Sequence, residues 1–221
     1  MINYRTKNVF TEEAKNIIKY KDDRPLLMVS STSWTPDEDF NMLLDSFIKL
    51  EKDLGEEINK LRKVLFLITG KGPQKEAFMK RVKETNLKLF NVKSIWLDSD
   101  DYPKLLGAAD LGVCLHYSSS GYDLPMKVVD MFSAELPVCA VYYETITELV
   151  KEGKNGFLFK NIDELNDILK RVIREYTYSG KCEDIDKFRQ NLKVKTDWIT
   201  QWNRICSDTI QKQAKLIKSK Y

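Results

Sequence analysis

The sequence holds few of the side chains that bind metal ions. It has one histidine, His116, and four cysteines, at positions 114, 139, 182 and 206, with no pair at CxxC spacing. Because zinc sites are built from clustered cysteine and histidine ligands, we expect none here. No other metal site is visible and the sequence requires no cofactor; assistance by a divalent cation stays open.

Long apolar runs and an excess of one charge are also missing. The longest uninterrupted aliphatic and aromatic run, Val64 to Ile68, is far shorter than the roughly 20 residues of a membrane-spanning helix. The first ten residues hold no apolar core of signal-peptide length, so we expect a soluble chain without an export signal. Lysine and arginine total 36 against 33 aspartates and glutamates, a balance that disfavours nucleic-acid binding.

The residues that are present form a regular alternation of strands and helices. Hydrophobic residues make up 43% of the chain, enough for a packed core. Runs that are apolar throughout alternate with segments carrying apolar residues at helical spacing, which predicts a doubly wound, mainly parallel, Rossmann-like α/β sheet. The predicted strands are residues 26–31, 64–70, 94–97, 111–116, 137–142 and 157–159.

The length of 221 residues corresponds to one domain or one and a half. We expect a lead-in segment at 1–24, the α/β domain at 25–180 and a C-terminal helical extension at 181–221. The lysine-rich end of the extension is interpreted as a solvated helix end in preference to a surface for anionic lipids. Cys114 and Cys139 lie inside apolar runs, as is typical of buried thiols in a reducing compartment.

Capping residues mark several helix starts. Thr35, Pro36 and Glu38 have the pattern of a capping box, with Thr35 as the cap and Pro36 as the first helical residue. Asn161 is expected to cap a longer helix, and Pro125 to be the first residue of the helix after the fourth strand.

Four loops follow the predicted strand ends, where ligands bind in doubly wound sheets. The hydroxyls of the first, residues 30–39, suit a phosphate, although helix capping explains them as well. The second, residues 69–73, contains Gly70 and Gly72 but is neither a Walker A nor a GxGxxG motif, so a plain turn is favoured. The third and fourth loops are residues 97–103 and 116–127.

The fourth loop carries the most information. Ser118–Gly121 brings backbone donors to a helix start, and Asp123, Lys127 and Asp130 follow on one helix face. A carboxylate there can accept two sugar hydroxyls, and a helix start with a lysine can hold a diphosphate. A solvated charge stripe is the alternative. His116 ends the fourth strand and is interpreted as a histidine hydrogen-bonded at the strand edge.

Several of these segments together resemble one family of enzymes. They are SSTSWTPDEDF, ITGKGP, DYPKLLGAADLGVCLH and SSSGYDLPMKVVDMFSAELPVCAV, followed by ELV and NGF. Over residues 25–160 the chain is similar to the chitobiosyldiphosphodolichol β-mannosyltransferases, which are GT-B glycosyltransferases. The resemblance implies inverting transfer of mannose from GDP-mannose to GlcNAc2-diphosphate-dolichol on the cytosolic face of the endoplasmic reticulum membrane.

The resemblance covers only the C-terminal, donor-binding half of such an enzyme. It implies that residues 25–180 bind the nucleotide sugar. The acceptor, the membrane association and the general base are then expected from an absent N-terminal domain, so no catalytic base is named. Nucleic acid is not an expected partner.

The resemblance also implies roles for individual residues. Asp130 would grip the ribose hydroxyls, and Asp123 would face the donor hexose. The expected diphosphate contacts are Ser33, Ser118, Ser119, Ser120, Gly121 and Lys127. The expected nucleoside contacts are Gly70, Lys71, Gly72, Leu97 and Tyr102.

Two alternative functions fit the same residues. The chain could be a nucleotide-sugar-binding subunit that docks onto a separate acceptor-binding partner. It could also belong to a GT-B transferase with another donor or acceptor, because fold alone does not fix either.

Overall fold

A computed structural model describes residues 8–14, 17–118, 120–193 and 198–218 of the chain. The strands are β1 (Thr11–Ala14), β2 (Ile17–Tyr20), β3 (Leu26–Ser31), β4 (Val64–Thr69), β5 (Phe90–Ile95), β6 (Leu111–Cys114), β7 (Val138–Val141) and β8 (Gly156–Phe159). The α-helices are α1 (Phe40–Leu54), α2 (Lys75–Thr85), α3 (Tyr102–Ala108), α4 (Met126–Ser133), α5 (Ile162–Ser179), α6 (Glu183–Lys193), α7 (Trp198–Trp202) and α8 (Asp208–Lys218). Two 3-10 segments, Gly55–Asn59 and Thr145–Glu148, and a π-helical turn, Asn203–Ser207, complete the helical elements.

Six strands form one parallel sheet in the order β5-β4-β3-β6-β7-β8. The chain winds outward from β3 to β5, returns to lay β6 on the other side of β3, and continues to β8. The doubly wound fold predicted from the sequence is confirmed. Its strand order reverses between β3 and β6, which is where ligands bind in this architecture.

Helices cover both faces of the sheet, which explains the uninterrupted apolar strands. Along β3, Leu26 and Met28 belong to one core, while Leu27 and Val29 belong to the other. The first core also contains the inner faces of α1 and α5, and the second those of α3 and α4. The residues of β3 are therefore buried on one side of the sheet or the other.

The third predicted strand, residues 94–97, is displaced in the structure. The observed β5 begins at Phe90, and burial alternates along its first four residues, FNVK. This strand forms the edge of the sheet, and one side of it meets solvent. Its alternating first half therefore escapes a search for continuous apolar runs.

The capping box predicted at 35–38 is wrong. Helix α1 is capped by Asp39, whose side chain accepts the N–H of Met42 at 3.0 Å. Glu38 instead turns inward and pairs with Lys127. A carboxylate binds an ammonium group more strongly than a backbone N–H, so this distant partner wins over the local cap.

The other predicted helix starts lie close to expectation. The Asn161 side chain caps α5 by accepting the N–H of Glu164 at 3.0 Å, as predicted. Pro125 stands one residue earlier than expected, as the N-cap of α4. Cys114 and Cys139 are buried, and burial raises the pKa of the Cys114 thiol to about 11.

The two ends of the chain carry structure of their own. Strands β1 and β2 form an antiparallel hairpin within the expected lead-in segment, and α6 to α8 lie within the expected helical extension. No helix in the described parts of the chain has the length and hydropathy needed to cross a membrane.

The loop after β4 packs directly against the loop after β3. Gly70 has a φ of +138°, and a Cβ there would lie 1.8 Å from the carbonyl oxygen of Thr32. A Cβ on Gly72 would lie 1.8 Å from the carbonyl oxygen of Ser33. The indole N–H of Trp34 donates to the Gly70 oxygen at 3.3 Å. Both glycines are therefore required by the close approach of two backbones.

We expect Gly70→Ala to lower the free energy of unfolding by about 2–3 kcal/mol, because the added Cβ meets a backbone oxygen and the φ is strained. Gly107→Ala in α3 is the control: its Cβ would meet nothing within 4 Å, and alanine adds up to about 1 kcal/mol of helix propensity. Urea unfolding followed by circular dichroism measures both. Equal stability of the two variants would contradict the close approach.

Candidate functional site

The loops after β3 and β6 meet where the strand order reverses. Glu38 and His116 form an isolated antiparallel bridge between them. The N–H of Tyr117 donates to the carbonyl oxygen of Asp37 at 3.1 Å. The two loops therefore form one connected surface at the carboxyl edge of the sheet.

A buried carboxylate lies under this surface. The Glu38 side chain is 1% exposed and accepts hydrogen bonds from the Lys127 ammonium and the Thr32 hydroxyl. Thr32 Oγ1 in turn accepts the N–H of Trp34 at 2.8 Å. The Lys127 side chain is 18% exposed. Its ammonium group, which is predicted to hold a diphosphate, is thus already paired with the buried Glu38 carboxylate.

Asp123 is exposed and holds a network on the other side of the surface. Its carboxylate lies 2.7 Å from Nε2 of His116, and accepts the hydroxyls of Ser118 and, at 3.3 Å, Ser120. These bonds, that from Ser118 foremost and that from His116 next, lower the pKa of Asp123 to about 2. The second ring nitrogen of His116, Nδ1, lies 3.2 Å from the carboxylate of Asp37.

The serine-rich loop is held in place from the segment after β7. Thr145 donates its hydroxyl to the Gly121 oxygen at 2.7 Å, and the Tyr143 hydroxyl donates to the backbone oxygen of Asp123 at 3.0 Å. Inside the loop, the hydroxyl oxygen of Ser118 accepts the N–H of Gly121 at 2.7 Å. Ser119 lies outside the described residues.

A second part of the site lies between α3 and α4. The Tyr102 hydroxyl donates to the Ser31 hydroxyl at 3.1 Å. The Asp130 carboxylate also interacts with the Tyr102 hydroxyl. Burial is the main cause that raises the pKa of Tyr102. A cavity of about 410 Å³ opens here, and its lining combines one carboxylate with mostly apolar surface. The lining residues are Tyr102, Pro103, Leu106, Gly107, Asp130, Ser133 and Ala134.

The predicted nucleoside residues divide into two groups. Tyr102 lies at the cavity, and Lys71 holds its ammonium 3.9 Å from the ring centre of the exposed Trp96. Leu97 is half-buried. Gly70 and Gly72, in contrast, pack against the backbone of the loop after β3 and do not face open space. Ser33, which is a predicted diphosphate contact, is exposed on the loop after β3.

Sequence patterns alone do not identify several residues of this surface. Asp37 matches no motif, the pattern around Glu38 fits a helix cap, and that around Trp96 fits a strand. Tyr143 and Thr145 follow the fifth strand of the sheet, and the strand-end rule applied to that strand would have found them. In the parts of the chain that the structure describes, no group of three or more histidine, cysteine, aspartate or glutamate side chains could hold a metal ion.

The glycosyl transferases group 1 sequence model matches residues 23–175, which is most of the chain. The chain belongs to the group 1 glycosyltransferases. The matched range contains both parts of the site, the cavity at Asp130 and the network at Asp123.

Curated relatives confirm the resemblance seen in the sequence. The chain is 42% identical over 201 residues to the chitobiosyldiphosphodolichol β-mannosyltransferase of Homo sapiens, covering 89% of this chain and 42% of that one. It is 43% identical over 211 residues to the UDP-glycosyltransferase TURAN of Arabidopsis thaliana, covering 89% of this chain and 45% of that one. The chain thus spans a little under half the length of these relatives.

Solved structures support the fold. Anabaena HepE in complex with UDP superposes with a TM-score of 0.56 at 19% identity, over 89% of this chain and 49% of that one. The C-terminal domain of the group 1 glycosyltransferase LpcC from Francisella tularensis superposes with a TM-score of 0.55 at 17% identity, over 76% of this chain and 82% of that one. At these identities the likeness concerns the fold alone.

The hydrogen bonds to Asp123 predict its titration. Its lowered pKa means that the ionised carboxylate holds the loop at all pH values above about 4, and that these bonds are lost as the pH falls toward 2. We expect Ser118→Ala to raise this pKa toward that of an ordinary aspartate, as measured by carboxyl ¹³C NMR.

Ser120→Ala is the matched control for this titration. It removes the longer bond of 3.3 Å, so its shift should be smaller. An unchanged Asp123 midpoint in Ser118→Ala would show that the carboxylate does not depend on this network.

Proposed function

We propose that this chain binds GDP-mannose as the donor part of a β-1,4-mannosyltransferase that transfers mannose, with inversion, to GlcNAc2-diphosphate-dolichol. The observation that carries the proposal is the pairing of a carboxylate-bearing cavity at Asp130 with a hydroxyl-rich loop and Lys127, beside the reversal of strand order. The names of relatives such as the human β-mannosyltransferase support the same reaction.

The cavity between α3 and α4 suits a nucleoside. A single carboxylate can accept both hydroxyls of a ribose, and Asp130 is one of the residues of a mostly apolar lining. In the proposal, Tyr102 and Leu97 line the path to the base, and Lys71 with Trp96 forms a cationic and aromatic platform beside it.

The diphosphate is assigned to the loop at 118–121 and to the start of α4. Free backbone N–H groups at a helix start, serine hydroxyls and a lysine are the common partners of phosphate oxygens. They would stabilise the charge that develops on the leaving GDP. Ser33 lies exposed on the neighbouring loop and is assigned to the same anion, while Asp123 is assigned to the donor hexose.

Deprotonation of the acceptor hydroxyl requires a general base. We assign the base, the dolichol-linked acceptor and the membrane contact to the part of the enzyme that matches the remaining length of the relatives. In this proposal, the complete enzyme works at the cytosolic face of the endoplasmic reticulum membrane.

A second candidate is a UDP-sugar donor. The Arabidopsis relative is named a UDP-glycosyltransferase, and Anabaena HepE was solved in complex with UDP. If the acceptor were bound by a separate subunit, the donor site would be the same. The identity of the bound nucleotide therefore distinguishes the two candidate donors.

We expect the 221-residue chain to bind GDP-mannose and GDP more tightly than UDP in isothermal titration calorimetry, because the assigned donor carries guanine. Preference for UDP over GDP would favour the second candidate. Absence of binding by all three nucleotides would overturn both.

We expect Asp130→Ala to weaken GDP binding by about 1–3 kcal/mol, roughly 5- to 150-fold in Kd, because the ribose hydroxyls lose a charged acceptor. Asp130→Asn keeps the shape and tests the charge. Asp53→Ala is the control, since Asp53 is exposed near the far end of α1, roughly 20 Å along the helix from its start. An equal loss in the control would remove the assignment of Asp130.

A further inference from the structure

His116 stands between two carboxylates that belong to the two meeting loops. Its Nε2 lies 2.7 Å from Asp123 and its Nδ1 lies 3.2 Å from Asp37. The imidazole is 17% exposed, so water reaches only part of it. The ring therefore links the loop after β3 to the loop after β6 through its two nitrogens.

This arrangement fits only one protonation state of the ring. Hydrogen bonding lowers the pKa of Asp123, chiefly through Ser118, and that of Asp37, chiefly through Thr35, with His116 contributing to both. Both carboxylates are therefore ionised acceptors. A neutral imidazole has one N–H donor, whereas an imidazolium has two. Two acceptors at hydrogen-bond distance thus require the doubly protonated ring.

We propose that His116 is a positioning residue whose protonated ring clamps the two loops together and favours the binding of an anionic nucleotide sugar. The inference rests on the proposed function, because it concerns the same donor site. Histidine side chains in general change their charge between pH 5 and 8, so the test of the clamp varies the pH across this range.

The charged groups around the ring give the direction of the effect. From the loop after β3 they are Asp37 and Glu38, and from the ring's own loop Asp123. Glu38 is compensated by Lys127 of α4, so the two aspartates face a single imidazolium. From the segment after β7 the ring meets the edge of Tyr143, with ring centres 6.4 Å apart. Burial raises the pKa of this phenol to about 12, so it stays neutral.

Loss of the ring proton therefore has two consequences at the donor site. The two aspartates and the ring change from a net charge of −1 to −2, which repels a diphosphate. One of the two hydrogen bonds is also lost. The bond to Asp37 is the longer of the two, so we expect it to be the one that breaks. Donor binding and proton binding should accordingly assist each other, since such coupling is reciprocal.

The test is calorimetry of GDP-mannose binding from pH 5.5 to 8.5 in buffers of different ionisation enthalpy. GDP-mannose is the suitable probe because its diphosphate is esterified at both ends and keeps its charge across this range. We expect the wild-type chain to bind about 5- to 10-fold more weakly at pH 8.5 than at pH 6, and to take up a proton on binding near neutral pH.

His116→Gln should bind with nearly the same affinity at both pH values and without the proton uptake. His116 is the only histidine in the chain, so the difference between the two proteins isolates this ring. Asp53→Asn is the control and should keep the wild-type profile. A wild-type affinity that does not change with pH, or the same profile in His116→Gln, would overturn the inference.

Ring NMR tests the clamp without any nucleotide. At pH 6 we expect two hydrogen-bonded imidazole N–H signals, of which Asp37→Ala removes the Nδ1–H and Asp123→Ala the Nε2–H. A single N–H signal in the wild-type chain would overturn the clamp even if nucleotide binds. Two N–H signals in a chain that binds no nucleotide would keep the clamp, but would overturn the donor site and its coupling.

Discussion

The buried ion pair between Glu38 and Lys127 is the interaction on which the rest of the site depends. A carboxylate that is 1% exposed is stable in the interior only with a charged partner and further hydrogen bonds, here Lys127 and Thr32. The pair connects the loop after β3 to α4, two segments that are 89 residues apart in the sequence. It draws the first loop over the carboxyl edge of the sheet, so that Asp37 meets His116. Without it, the buried charge would disfavour this loop conformation.

The strand order explains why these segments can meet at all. Because β3 is flanked by β4 and β6, its loop touches one neighbour on each side. On the β4 side the contact is backbone against backbone, allowed by Gly70 and Gly72. On the β6 side a backbone hydrogen bond from Tyr117 to Asp37 is joined by contacts between charged and polar side chains. The first loop is therefore fixed by steric fit on one side and by electrostatics on the other, which leaves the polar side available for a ligand.

The sequence predicts the fold well and the site in part. Strands buried on both faces, such as β3, have an unmistakable apolar pattern, whereas the alternating edge strand β5 does not. Asp123 and Asp130 could be selected because each lies near a strand end and a helix start. The partners of these residues could not be selected, because they are distant in sequence. Glu38 shows the reason: its local pattern fits a cap, and only the folded chain reveals a stronger partner.

The two parts of the site have different electrostatic designs, and this difference bears on how a donor would be recognised. Asp130 stands beside an apolar cavity without a cation paired to it in the described contacts, so its carboxylate has capacity for neutral hydroxyls. Asp123 already accepts bonds from Ser118 and His116, so the charge around it depends on the protonation state of that imidazole. A nucleoside would therefore bind at the first part largely through shape and hydrogen bonds. The affinity for a charged diphosphate and its sugar would depend on the protonation state of the second part. The binding of a ligand that spans both parts would therefore depend on pH, whereas the binding of a nucleoside alone would not.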